Sequence, residues 1–163
     1  MKIGERALGE LDKHRTPETG HNAGEPVEWS CKRWLSAQRY EQELAAGKLE
    51  WCAGAVCSAF DDAGSTQIHE VVSLSCNELL KHCVGHGYIV PRDEIEVGDI
   101  VWTDRDGDGK PNHVGIASAV ERDSAGIVRL VLRSGNSGPK ADRVTDRAYL
   151  FDRRILCAAR LEG

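Results

Sequence analysis

The run Glu50-Trp51-Cys52-Ala53-Gly54-Ala55-Val56-Cys57-Ser58-Ala59-Phe60 constrains the fold more than any other stretch of the chain. Cys52, Ala55, Val56, Ala59 and Phe60 recur at i, i+3, i+4, i+7 and i+8, which is the spacing of one face of an α-helix. The run predicts a small-residue, apolar helix with a thiol at its mouth, closing near Asp61-Asp62-Ala63-Gly64, where Gly64 takes the left-handed position. A sulfur at a helix start feels the positive end of the dipole and the unpaired N–H groups of the first turn. Both lower a free-thiol pKa of about 8.5 and raise the thiolate fraction. Cysteine is also among the most buried residue types, so packing is the competing reading of Cys52.

Around this run the chain reads as helices first and strands afterwards. Residues 2–14 are rich in helix formers, with Ile3, Leu8 and Leu11 among charges. Thr16 to Pro26 is dense in turn formers and reads as a loop. Pro26 suits the first position of a second helix whose face is Val27, Cys31, Trp34 and Leu35. Residues 36–49 are polar and read as the approach to the Cys52 helix. A further helix is expected over about residues 73–84, capped by Ser73 or Ser75 and stopped by Gly85 and Gly87. Short β runs follow at 95–102, 113–120, 127–132, 143–151 and 155–161, separated by turn residues as in an antiparallel meander, with alternation clearest in Val128, Leu130 and Leu132. The order predicts an α+β domain, N-terminal helices packed on a C-terminal antiparallel β-sheet, with residues 1–163 as a single unit.

The totals narrow the function. A net charge of −5 with mixed signs and no Lys/Arg cluster gives no attraction to nucleic acid or anionic lipid, so neither is expected as a partner. No apolar run approaches the length of a membrane helix and no secretory signal opens the chain, so membrane insertion is not expected and synthesis in the cytoplasm is. The six cysteines could form three bridges, but without a signal peptide reduced thiols are the expectation. Neither a Cys-x-x-Cys pair nor a His-Glu-x-x-His helix supports zinc.

His113 opens the second long strand, and Asn136 falls just past the end of the third, in Ser134-Gly135-Asn136-Ser137-Gly138. Hairpin-joined antiparallel strands bring the beginning of one beside the end of the next, so His113 and Asn136 are expected to meet. With Cys52 they supply a nucleophile, a base and an amide to orient the imidazole. Trp51-Cys52-Ala53-Gly54-Ala55-Val56, Val97-Gly98-Asp99-Ile100-Val101, Asp106 to Ile116 and Gly135-Asn136-Ser137 resemble, in that order, the signature blocks of the CHAP-domain cysteine amidases and endopeptidases, relatives of the NlpC/P60 and papain-like peptidases. The Glu18…Asn22-x-Gly24 segment is similar to one that precedes the Trp-Cys block in some members. The resemblance implies a papain-like core, Cys52 as nucleophile, His113 as base and Asn136 as third member. It implies peptidoglycan as substrate, cut at an N-acetylmuramoyl–L-alanine amide or within the peptide stem or bridge, as by a phage lysin or an antibacterial effector acting on the wall after release.

Trp51, Trp102, Asn112 and Glu18 are candidate substrate contacts by proximity, each equally open to a structural role. Asp104-Arg105-Asp106-Gly107-Asp108-Gly109 opens like a calcium loop, but the twelfth position is Gly115 rather than a bidentate Glu and no helix follows. Asp104, Asp106 and Asp108 are therefore read as a hairpin turn with a weak Ca2+ site as the alternative, and no cofactor is required. Cys57 is read as core packing. A monomer is expected, and nothing in the residues points to an immunity or secretion partner. Two rival functions stay open: a deamidase or transglutaminase-like toxin acting on protein glutamine, and a non-catalytic calcium-binding or structural module with Cys52 merely buried.

Overall fold

The computed structural model describes residues 1–47, 49, 51–71, 74–137 and 142–163. Its helices are α1 (Ile3–Asp12), α2 (Glu25–Cys31), α3 (Ala37–Ala45), α4 (Cys52–Asp62) and α5 (Cys76–Gly85). Its strands are β1 (Ile89–Val90), β2 (Ile100–Thr103), β3 (His113–Asp123), β4 (Gly126–Ser137), β5 (Arg143–Leu150) and β6 (Ile155–Ala159). All strand pairs are antiparallel, and the class is α+β, as expected.

α4 is the axis of the helical half, with every residue from Cys52 to Phe60 buried. Contacts from α1, α2, α5, β3 and β4 converge on it, and its small residues make that possible. A Cβ on Gly54 would stand 2.5 Å from the Ser30 carbonyl oxygen of α2. Ser58 is matched in this packing: its Oγ donates toward the Trp29 and Ser30 carbonyls and accepts from Trp34 Nε1 at 2.8 Å. Pro26 lies in the first turn of α2, and Gly64 closes α4 at φ 91°. Residues 37–45 form a helix where a polar approach was expected. Ser36 caps it by accepting from Arg39 N, and Tyr40 is its one buried residue among those described, too sparse a pattern to register as a face. Ser75 caps α5, accepting from Glu78 N. The alternative cap, Ser73, lies outside the described residues.

The sheet order is β1-β6-β2-β3-β4-β5. The meander holds from β2 to β5, but the last strand does not continue it. β6 crosses back to pair with β2 and, on its other side, with the short β1, which had no sequence signal. Ile100, Trp102, Val114 and Ile116 face the helices. Val101, Ala117, Leu130, Leu132, Tyr149, Ile155 and Ala158 form a second core with Ile95 from the segment before β2, and among the described residues no α-helix contributes to it. Alternation fails at Val128, which is 40% exposed beside buried Ile127. Between Glu121 and Arg122 the β3/β4 register shifts, β4 carries one extra residue there, and the side-chain parity reverses.

Gly54→Ala should destabilise the protein by about 1–3 kcal/mol, because the added methyl pushes α2 away from α4. Gly9→Ala, mid-helix in α1 with nothing within 4 Å of the new Cβ, should stabilise it by about 0.5–1 kcal/mol. Urea unfolding of the two variants measures both signs.

Candidate active site

The N-terminus of α4 presents Cys52 as its first helical residue, with Trp51 at the cap position making no side-chain capping hydrogen bond. Trp51 is held from the other side by the N-terminal loop. Its Nε1 donates to Glu18 Oε1 at 2.6 Å, Glu18 Oε2 accepts from Asn22 N at 2.8 Å, and Asn22 Nδ2 donates to the Gly47 carbonyl. Asn22 adopts φ 51° and Gly24 φ 107°, so the loop folds back tightly at both residues. The sheet closes on the same tryptophan. A Cβ on Gly135 would lie 2.5 Å from the Trp51 ring and 2.8 Å from Ala55 Cβ. Only glycine lets β4 approach the start of α4 this closely.

His113, the first residue of β3, stands beside the Cys52 sulfur and favours its thiolate form. Its Nε2 shares a hydrogen bond with Ser134 Oγ at 2.8 Å, which leaves Nδ1 as the nitrogen available to the sulfur. Cys52 and His113 thus meet as expected, but the partner that orients the ring is Ser134, not Asn136. The reason lies in the backbone. Extending the Ile116↔Arg133 register would set Asn136 opposite His113, yet β4 gains a residue against β5 between Ser134 and Ser137, and Asn136 turns into the left-handed region at φ 52°. Ser134, two residues earlier, reaches the imidazole diagonally.

The site is nearly closed rather than an open cleft, with Cys52 4% and His113 3% exposed. Burial alone would raise the pKa of the sulfur. Hydrogen bonding from the Cys76 thiol, 3.5 Å away, acts first against it, followed by His113 and by the Val114 N–H, and together they hold Cys52 well below the ordinary thiol range. Other thiols go the opposite way: burial pushes Cys31 and Cys83 up to about 12, Cys157 up to about 11, and Cys57 higher still. Cys57 is accordingly an inert packing residue at this geometry. Cys76 was not anticipated; its place at a serine-capped helix start was legible, its proximity to Cys52 was not.

The remaining candidates are placed as follows. Trp51 and Trp102 are fully buried, and Trp102 Nε1 donates to the Cys76 carbonyl at 3.0 Å. Neither indole has surface to offer a substrate in this conformation, and both act as supports beneath the site. Glu18 is engaged with Trp51 and Asn22. Asn112 is exposed but occupied, donating to Asp106 Oδ1 and accepting from Arg105 N. Asp104, Asp106 and Asp108 bring carboxylate oxygens within 4.8 Å of one another. Both Asp104 oxygens accept backbone N–H groups, from Gly107 and Gly109 at 2.7 Å, and Asp108 accepts from Lys110 N. Asp104 raises the pKa of its neighbour Asp106. Gly115, the twelfth position, lies inside β3 and carries no ligand. The segment is a hydrogen-bonded turn that leads into His113, with three carboxylates as the donors it could offer a hard cation.

Comparison with protein-family models, curated proteins and solved structures gives no match to this chain. The chemistry of the site therefore stands on its geometry: a polarised thiol at a helix start, a histidine against it and a hydroxyl behind the histidine, the arrangement of an activated sulfur nucleophile.

Alkylation of Cys52 by iodoacetamide, located by peptide mass, should reach its plateau below the ~8.5 midpoint of a free thiol. His113→Ala removes a group that favours the thiolate, so its profile should move to higher pH. Ser134→Ala should shift the profile more than Asn136→Ala. A wild-type midpoint at or above that of free cysteine would overturn the assignment.

Proposed function

We propose that the chain is a cysteine hydrolase of the CHAP type, with a papain-like fold, that cleaves an amide bond in peptidoglycan. The observation that carries this reading is the Cys52 sulfur at the start of α4, beside an imidazole that favours its thiolate and whose Nε2 is held by Ser134. The fold class agrees with it: helices pack on an antiparallel sheet, and nucleophile and base come from opposite layers. Peptidoglycan as the substrate rests on the four sequence blocks around Cys52, Gly98, His113 and Gly135. Among the described residues no helix is long and apolar enough to cross a membrane.

In the proposed reaction the thiolate attacks the amide carbon, and the developing oxyanion is met by first-turn N–H groups of α4, which the Trp51 side chain does not cap. His113, protonated at Nδ1 after taking the thiol proton, hands that proton to the leaving amine. Water, activated by the same nitrogen, then hydrolyses the thioester. Ser134 holds the ring through Nε2 in both half-reactions. Being neutral, it contributes orientation rather than charge.

Purified cell walls should lose turbidity with the wild-type protein and not with Cys52→Ala or His113→Ala. Ser134→Ala should retain activity reduced about fivefold, the effect of one neutral hydrogen bond worth about 1 kcal/mol. Mass analysis of the released fragments identifies the bond. Equal clearing by wild type and Cys52→Ala, or ammonia release from protein glutamine without wall solubilisation, would overturn the proposal.

A further inference from the structure

Two cysteines meet at the site, and the proposed hydrolysis uses one of them. Cys52 is the first residue of α4 and Cys76 the first residue of α5, so two helix N-termini converge with their sulfurs 3.5 Å apart. Neither cysteine is in a disulfide, and both are nearly enclosed, 4% and 9% exposed. The Cys76 carbonyl is anchored by Trp102 Nε1, which fixes the start of α5 against the sheet. From this contact we infer that Cys52 and Cys76 form a reversible redox couple, a modification site at which peroxide converts the nucleophile to an intramolecular disulfide.

The chemistry balances with one peroxide. The Cys52 thiolate attacks a peroxide oxygen, the O–O bond breaks, and Cys52 becomes a sulfenic acid as hydroxide leaves. The Cys76 sulfur then attacks the sulfenic sulfur. The S–S bond forms, the S–OH bond breaks, and that hydroxyl departs as water with the Cys76 proton. The proton Cys52 gave up neutralises the first hydroxide. Two electrons have left the sulfur pair and one peroxide has become two waters. A dithiol reductant reverses the step by thiol–disulfide exchange.

The geometry meets the demands of this step. The sulfur that must be a thiolate is the one that hydrogen bonds polarise, and the resolving sulfur is already in contact, so closure to the ~2.05 Å of a disulfide needs a shift of about 1.5 Å. The other thiols with resolved shifts are held in their neutral form by burial and do not compete. Cys76 therefore has two roles. Reduced, its S–H supports the Cys52 thiolate; oxidised, it protects the same sulfur from the irreversible sulfinic and sulfonic acids.

The inference rests on the hydrolase reading for its consequence, but the couple itself is measurable without activity. The protein is treated with hydrogen peroxide and mapped by peptide mass before and after dithiothreitol. Wild type should give a peptide joining Cys52 to Cys76, lighter by two hydrogens than the separate peptides, and dithiothreitol should release it. Cys76→Ser keeps a hydroxyl donor beside Cys52 but cannot resolve the sulfenic acid, so Cys52 should instead carry two or three added oxygens that dithiothreitol does not remove. Wall-clearing activity, where present, should be lost on oxidation and return on reduction in wild type only. Added oxygens on Cys52 in wild type, with no joined peptide, would overturn the couple whatever the activity. A joined peptide in a protein that never clears walls would sustain the couple and count against the hydrolase.

Discussion

Burial of α4 on all sides is the constraint from which the rest of the structure follows. A helix enclosed from Cys52 to Phe60 must be built of residues small enough for neighbours to close over it, and Ala53, Gly54, Ala55, Ser58 and Ala59 are such residues. The same enclosure fixes where its ends point. Gly54 sets the distance to α2, and Gly135 lets β4 rest on Trp51 and Ala55. Ser134 is the next residue to Gly135, so the contact that seats the helix on the sheet also places the hydroxyl that holds His113. Core packing and site geometry are here one set of contacts.

A sulfur so enclosed would ordinarily be neutral. Desolvation in an apolar pocket disfavours the thiolate, and at Cys31 and Cys83 it does so without opposition. What distinguishes Cys52 is its position rather than its exposure. It sits where a helix begins, beside the start of α5 and the start of β3, so the Cys76 thiol, the His113 imidazole and the Val114 N–H all reach it. Two side chains and one backbone N–H gather on one atom.

Periodicity made the Cys52 helix legible, because its apolar face is dense. It did not reveal α3, where Tyr40 is the one described buried residue and the capping Ser36 is the only strong mark. Turn residues separated the long strands correctly, but nothing local says that β6 returns across the sheet to β2, since that choice is made by which edge offers an apolar partner. Within the site, Cys52 and His113 were readable because helix starts and strand starts have sequence marks. The residue that meets the imidazole is Ser134, two positions before the expected Asn136. Asn136 is the residue that a regular ladder would present, and an extra residue in β4, which no composition signals, gives the position to Ser134. Cys76 shows the same limit: its helix start was visible, while its contact with Cys52 depends on how two helices pack.

The identity of that third member changes the electrostatic design. A carboxylate behind a histidine stabilises the imidazolium directly, but Ser134 is neutral and offers only direction. Support for a charge-separated thiolate–imidazolium pair must then come mainly from the sulfur side. The donors around Cys52 supply it there: the thiol of Cys76 and the N–H of Val114 both favour negative sulfur, and neither depends on a charge behind His113. An enclosed site strengthens each of these interactions, since water does not screen them. The near-burial that sets this site apart from an open cleft is thus consistent with a neutral orienter, because the two together shift the stabilisation from the base to the nucleophile.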